Sequence, residues 1–87
     1  MNADEAKVQR TTAKRLFTMS HNQFKLSIDE HFDQSIVQGR FGDLKEAWGV
    51  LMSKNAIYLA LKYPNDEAMT QEDEAWMNGP AKIYNAL

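Results

Sequence analysis

The strongest pattern along the chain is a row of mostly apolar side chains between residues 37 and 58. Its members follow one another at intervals of 4, 3, 4, 3, 4 and 3 residues, the spacing of a coiled-coil-like seam on one face of a helix. They are Val37, Phe41, Leu44, Trp48, Leu51, Asn55 and Tyr58. Period-two alternation is absent, so the segment does not fit a strand. We predict a helix over residues 34–62, with Asp33 as its N-cap.

A second apolar row begins halfway along this helix and comprises Val50, Ile57 and Leu61. A helix that is apolar on two sides has to be covered on both. We therefore expect the N-terminal half of the helix to pack on one neighbour only. The C-terminal half should also receive a third element.

The preceding segment has helical periodicity as well. Residues 4–32 contain no Gly or Pro, and apolar or small side chains recur every three or four residues, as in an amphipathic helix. These are Ala6, Ala13, Leu16, Phe17, Ser20, Phe24, Ser27 and Ile28. Asp4 and Glu5 fall in the first turn, where negative charge interacts favourably with the helix dipole. We predict that this helix and the next form a long antiparallel hairpin.

A shorter acidic segment follows the hairpin. Tyr63 precedes Pro64, and a residue before proline avoids the α region, so the second helix should end there. We predict a third helix over residues 66–78, with a possible start at the capping-box-like sequence Thr70-Gln71-Glu72-Asp73.

The end of the chain begins with Asn78-Gly79-Pro80, a sequence typical of a helix breaker. Residues 81–87 are then expected to form one more helical turn or to fray. The prediction for residues 1–87 is a single all-α domain, a helical hairpin with a shorter third helix, three-helix-bundle-like and oligomeric.

Two features of the second helix leave alternatives open. Gly42 and Gly49 are one heptad apart and share a face. They are either tolerated surface glycines or part of a groove where another helix approaches closely. Asn55 lies on the seam, where Asn either sets the register or oligomeric state or marks a hydrated edge.

Composition excludes several classes of protein. The chain has 10 Lys and Arg against 12 Asp and Glu, a net charge of −2, whereas an electrostatic nucleic-acid binder is usually basic. It has no cysteine, which excludes disulfides, thiol nucleophiles, iron–sulfur clusters and cysteine zinc sites. The missing disulfides suit an intracellular, cytoplasmic protein. We also expect no membrane insertion, because no apolar stretch is long enough to span a bilayer.

The sequence shows no pattern of residues typical of catalysis. His21 and His31 are the only histidines, and their separation of ten residues does not place them on one helix face as a zinc pair requires. The acidic clusters at 29–30 and 72–74 are better explained as solvated helix ends than as paired catalytic carboxylates. Phosphate loops, nucleophile elbows and dinucleotide fingerprints are missing. We predict no catalytic, cofactor-binding or metal-binding residues, and no enzymatic activity.

A basic stripe runs along the first helix. Lys7, Arg10 and Lys14 share one face, and Arg15 lies beside them. Such a stripe can bind phosphate groups or an acidic partner, or it can pair with the acidic third segment of the same chain. The acidic total favours the second interpretation, so we regard nucleic acid as an unlikely partner.

Several short motifs resemble those of a known family. They are Lys14-Arg15-Leu16-Phe17-Thr18 with His21-Asn22, followed by Arg40-Phe41, Leu44-Lys45, Ala47-Trp48 and Tyr58, and by an acidic segment from Glu72 to Trp76. Together they resemble the N-terminal helical region of Gag-like polyproteins of BEL/Pao-type LTR retrotransposons and their domesticated relatives. The resemblance covers about residues 10–76 and implies a structural or assembly element without the protease, reverse transcriptase or zinc-knuckle segments.

The leading functional hypothesis is protein–protein interaction, with another copy of the chain as the favoured partner. The hairpin is too long for the short third helix to cover, and apolar surface near Phe24, Phe32, Val37 and Phe41 should remain exposed. The predicted interaction surface consists of Phe24, Val37, Phe41, Leu44, Trp48, Leu51, Asn55 and Tyr58. The alternatives are a nucleic-acid or membrane-surface adaptor acting through the basic stripe Lys7, Arg10, Lys14 and Arg15, and a small regulatory module that docks on an enzyme.

Overall fold

A computed structural model describes all of residues 1–87, and every regular element in it is a helix. The elements are α1 (Ala3–Asp29), α2 (Gln34–Lys62), α3 (Gln71–Ala75) and α4 (Asn78–Asn85). The predicted all-α fold with two long helices is confirmed. The limits predicted for the second helix, 34–62, are those of α2. None of the helices combines the length and apolar character that crossing a bilayer requires.

Both ends of α1 are fixed by local hydrogen bonds. At its start the Asn2 side chain accepts a hydrogen bond from the Glu5 N–H at 2.8 Å, a standard N-cap. At its end His31 has a φ of 55°. The N–H groups of His31 and Phe32 donate to the carbonyls of Ile28 and Ser27, which is a Schellman motif. This left-handed residue ends α1 three residues before the predicted limit of 32 and turns the chain into α2.

The core of the hairpin is the contact between α1 and α2. Ala13 and Phe17 from α1 and Leu44 and Leu51 from α2 form its buried cluster. Phe17 lies 5.5 Å from the ring centre of Trp48, and nearer the turn Phe24 meets Phe41 edge-on at 5.3 Å. Such tilted aromatic pairs are favourable beyond the area that they bury. The seam pattern of α2 therefore identified the side of the helix that faces α1.

The third segment, residues 63–87 after the end of α2, differs from its predicted form. Thr70 does cap a helix, because its hydroxyl accepts a hydrogen bond from the Asp73 N–H at 3.2 Å. However, this helix, α3, has only five residues, where residues 66–78 had been predicted. Asn78-Gly79-Pro80, predicted to break the helix, instead begins α4. Proline is tolerated in a first helical turn because the N–H that it lacks has no partner within the helix there.

The third segment covers one side of the hairpin only. The Tyr84 ring of α4 stacks on Trp48 at 4.7 Å and 7°. Trp48 and Val50 are two residues apart and therefore point to nearly opposite sides of α2. The expectation that the third element covers the row of Val50, Ile57 and Leu61 is wrong, since these side chains remain 43%, 39% and 39% exposed. The molecule is consequently flat, with extents of 49 × 23 × 14 Å.

The glycines of α2 do not mark a contact within the chain. A Cβ atom added at Gly42 or Gly49 would meet no atom within 4 Å. Of the two alternatives, tolerated surface glycines is therefore the one that applies inside this molecule.

Candidate interaction surface

The covered side of the hairpin contains a buried arginine. Arg10 of α1 is only 2% exposed. Its guanidinium lies between two aromatic rings, 3.8 Å from the centre of Tyr58 and 4.0 Å from the centre of Trp76. A cation held between ring faces in this way is stabilised by their quadrupoles, and more so when water is excluded. Trp76 therefore attaches the third segment to α1 and α2 together.

The same guanidinium has two oxygen acceptors. Nη1 donates to the Asn55 side chain at 2.9 Å, and Nη2 donates to the Asp73 carboxylate at 3.1 Å. Asn55, which is half-buried, thus forms a hydrogen bond across the hairpin from α2 to α1. It orients the arginine that pairs with the third segment.

Asp73 is the centre of this polar cluster and accepts bonds from three side chains. Besides Arg10, the Lys62 ammonium donates to Oδ2 at 2.7 Å, and the Tyr63 hydroxyl donates to the same oxygen at 2.6 Å. The Tyr63 hydroxyl in turn accepts the Thr70 N–H at 3.2 Å. Both ion pairs of the chain therefore end on one carboxylate, at the start of α3.

The ionisation of Asp73 reflects this environment. Burial acts to raise the pKa of Asp73, but the hydrogen bonds from Lys62, Tyr63 and Arg10 outweigh it and hold this pKa well below its usual range. The hydrogen bond to Asp73 also raises the pKa of Lys62 above its ordinary value. The carboxylate is thus charged at neutral pH and holds three donors from different parts of the chain, as a structural anchor does.

These contacts correct the predicted basic stripe. Arg10 is buried and is not available to a phosphate group. Lys14 is half-buried and donates to the Trp76 carbonyl at 3.2 Å, so only Lys7 and Arg15 remain exposed. The interpretation that the stripe pairs with the chain's own acidic segment is confirmed for Arg10 by its ion pair with Asp73.

The predicted interaction surface also needs correction. Leu44, Leu51 and Tyr58 are buried within the chain, so they cannot contact a partner while the hairpin is folded. Trp48 is half-buried beneath Tyr84 of α4, and Asn55 is half-buried against Arg10 of α1.

The remaining three members lie near the turn of the hairpin. Phe24, Val37 and Phe41 are half-buried. They line a shallow depression together with the neighbouring residues Gln38, Gly42 and Lys45. The structure therefore buries three of the eight predicted residues and leaves five half-buried, three of them near the turn.

A different apolar surface lies on the uncovered side of the hairpin. We call it the outer groove, a furrow between α1 and α2 that is lined by these two helices alone. Leu16 of α1 is 50% exposed there, and Val50 of α2 faces it from the other wall at 43% exposure. The lining residues are Val8, Gln9, Thr12, Ala13, Leu16, Met19, Ser20, Gln23, Asp43, Glu46, Ala47, Val50 and Lys54.

The sequence analysis placed Leu16 in the amphipathic stripe of the first helix but assigned no role to Val8 and Met19, which also line the α1 wall of this groove. Val8, Leu16 and Met19 are all at least half exposed. They recur at helical spacing, with Thr12 one turn from both Val8 and Leu16. This second row on the first helix parallels the row of Val50, Ile57 and Leu61 on the second. Pairing the two rows would have predicted the groove.

No group of three or more His, Asp or Glu side chains is placed to hold a metal ion. His21 is half-buried in α1 and His31 is exposed at the turn. No protein-family model, no curated protein and no solved structure matches the chain, so the chain's own geometry carries the functional argument.

Proposed function

We propose that this chain is a non-enzymatic helical protein–protein interaction domain that associates with copies of itself through the outer groove. The observation that carries the proposal is the continuous exposed apolar surface on α1 and α2. Val8, Leu16, Met19 and Val50 line it, on the side that the third segment leaves uncovered. Contiguous apolar surface of this kind is typical of a site that binds another protein.

The shape of the molecule favours another helical layer as the occupant. The whole molecule is only 14 Å thick along its shortest axis, and its third segment covers one side of the hairpin, whereas a helix with two apolar faces has to be covered on both. A second copy supplies a matching apolar face, and two-fold dimers are the commonest soluble oligomers. Self-association also agrees with the assembly role that the resemblance to Gag-like polyproteins implies.

The contacts of the basic stripe argue against the alternative of a nucleic-acid or membrane-surface adaptor. Two of the four cations of the stripe are used inside the chain, Arg10 by Asp73 and Lys14 by Trp76. The remaining pair on a chain of net charge −2 offers little for phosphate groups. A module that docks on an enzyme would instead be a monomer when isolated.

Sedimentation velocity from micromolar to millimolar concentration tests the proposal. We expect a concentration-dependent shift from monomer to dimer or larger species that persists at high salt, because apolar contacts are not screened whereas phosphate binding is. Val50→Glu should shift the protein towards the monomer, because it places a charge in the middle of the groove.

The matched control is Met52→Glu. Met52 lies on the same helix and is 51% exposed, but it does not line the groove. This variant should associate like the wild type, and circular dichroism should show unchanged helix content in both. A wild-type chain that stays monomeric at millimolar concentration contradicts the proposal, as does equal dissociation by both substitutions.

A further inference from the structure

The two halves of the outer groove carry opposite charge. Asp43 and Glu46 line the half beside Met19, which encloses about 340 Å³. Lys54 lines the half beside Val8, which encloses about 240 Å³. Leu16, Val50 and Ala13 line both halves and therefore form the middle of the groove. Both ion pairs of the chain involve Asp73, so these three charged groups of the groove have no ionic partner within the chain.

We propose that a second copy of the chain packs on the outer groove about a two-fold axis that crosses α1 at Leu16 and α2 at Val50. This inference rests on the proposed function and specifies its geometry. The axis lies in the interface and runs perpendicular to the helices, so that each helix packs antiparallel to its own copy. In this dimer the two hairpins face each other as two layers of two helices. The third segment of each copy lies on the outer side of its own layer.

The register of α2 supports this axis. Glu46 and Lys54 each lie four residues from Val50, on opposite sides of it. Residues four apart lie on one face of a helix. Rotation about an axis at Val50 therefore exchanges the positions of residues 46 and 54 and sets Glu46 against the partner's Lys54. The same contact occurs a second time by symmetry, as in any isologous interface.

A different two-fold axis lacks this complementarity. An axis parallel to the helices would place α1 of one copy over α2 of the other, at the same level. Glu46 would then face the level of Met19 and Ser20, and Lys54 would face the level of Gln9. Neither charge would meet an opposite one. Electrostatic complementarity fixes register and orientation, so it selects the perpendicular axis.

Charge reversal tests the register. Lys54→Glu and Glu46→Lys should each weaken self-association at least about tenfold, because each creates two like-charge contacts across the axis. An equimolar mixture of the two variants should associate as heterodimers, since both contacts then join a Glu to a Lys. The double variant should likewise regain wild-type association. Native mass spectrometry and sedimentation equilibrium measure these species.

The control is Lys45→Glu, which makes the same change outside the outer groove and should leave association unchanged. If the wild type dimerises but the two variants neither weaken nor pair with each other, this register is wrong while the proposed function stands. If the wild type never associates, the proposed function fails and this inference fails with it.

Discussion

The two sides of the α1–α2 hairpin use opposite chemistry. The covered side holds a charged cluster in which Arg10 and Asp73 are almost fully buried. The outer groove is mostly apolar and open, with Leu16 and Val50 about half exposed. A buried charge tolerates few arrangements because every donor and acceptor needs a partner at the right place. An apolar surface is less demanding, because hydrophobic contact has no preferred direction.

This difference explains which side of the hairpin is covered by another part of the same chain. A five-residue helix such as α3 is not stable alone, so its position has to come from tertiary contacts. Those contacts converge on Asp73, which joins the third segment to α1 through Arg10 and to the end of α2 through Lys62. We infer that the polar cluster gives the fold its specificity, whereas no other part of the chain covers the outer groove.

The largest loss of stability is expected for Asp73→Asn, which removes the carboxylate at the centre of the polar cluster on the covered side. It leaves the Arg10 guanidinium buried without its carboxylate, and loss of one member of a buried ion pair costs about 3–5 kcal/mol. That loss is comparable with the whole free energy of unfolding of a small domain. Urea unfolding followed by circular dichroism measures it. Glu74→Gln removes the neighbouring, exposed carboxylate and should change stability by less than about 0.5 kcal/mol.

The difference in stability between the wild type and Asp73→Asn has a defined pH dependence. The pKa of Asp73 is depressed in the folded state, so its contribution is fully present above the unfolded value of about 3.9. It is lost as the pH falls further towards the depressed pKa. The difference in stability between the wild type and Asp73→Asn should therefore be constant near neutral pH and shrink below about pH 4. A difference that does not change with pH would show that the carboxylate charge is not responsible.

A smaller effect is expected from Trp48→Ala, also on the covered side. Trp48 links α4 to the core through Tyr84 and Phe17. Because it is only half-buried, we expect a loss of about 2–3 kcal/mol, below the usual range for a fully buried aromatic residue. Any folded protein that remains should associate like the wild type. Val50→Glu should do the reverse, with nearly normal unfolding and impaired association.

The results for Trp48→Ala and Val50→Glu together show whether the two sides of the hairpin are independent. If Trp48→Ala dissociates an otherwise stable oligomer, Trp48 lies at an interface and the assignment of the two sides has to be exchanged. Urea unfolding and sedimentation velocity on the same samples separate the two outcomes.

Local periodicity predicted the long helices because their pattern is repeated over several turns. The seam predicted the helix α2, with Asp33 and Tyr63-Pro64 marking its limits, and the small residues of α1 at positions 6, 13 and 27 are buried as their pattern implies. Each of these signals comes from residues a few positions apart. Such a pattern therefore predicts the helix and its apolar face from neighbouring residues alone.

The positions that periodicity missed depend on distant partners. Arg10 appeared to belong to a surface stripe, because the carboxylate that buries it lies 63 residues away in sequence. The helix that begins at Asn78 likewise depends on packing, since Tyr84 stacks on Trp48 and Pro80 is buried. A rule based on neighbouring residues predicts a helix break at Asn78-Gly79-Pro80, because such a rule contains no information on what the segment contacts.

The smallest expected effect is at the turn that connects the two helices and lies outside both compared surfaces. His31 has a φ of 55°, a left-handed conformation that costs a residue with a Cβ about 1–2 kcal/mol and glycine little. Glycine also increases the entropy of the unfolded chain, so His31→Gly should stabilise the fold by at most about 1 kcal/mol. His21→Gly, inside α1, should instead destabilise by about 0.5 kcal/mol or more. Thermal unfolding of both variants measures this opposition in sign, and neither should alter association. A loss of stability at both positions would mean that the His31 side chain makes a contact worth more than the strain of its backbone.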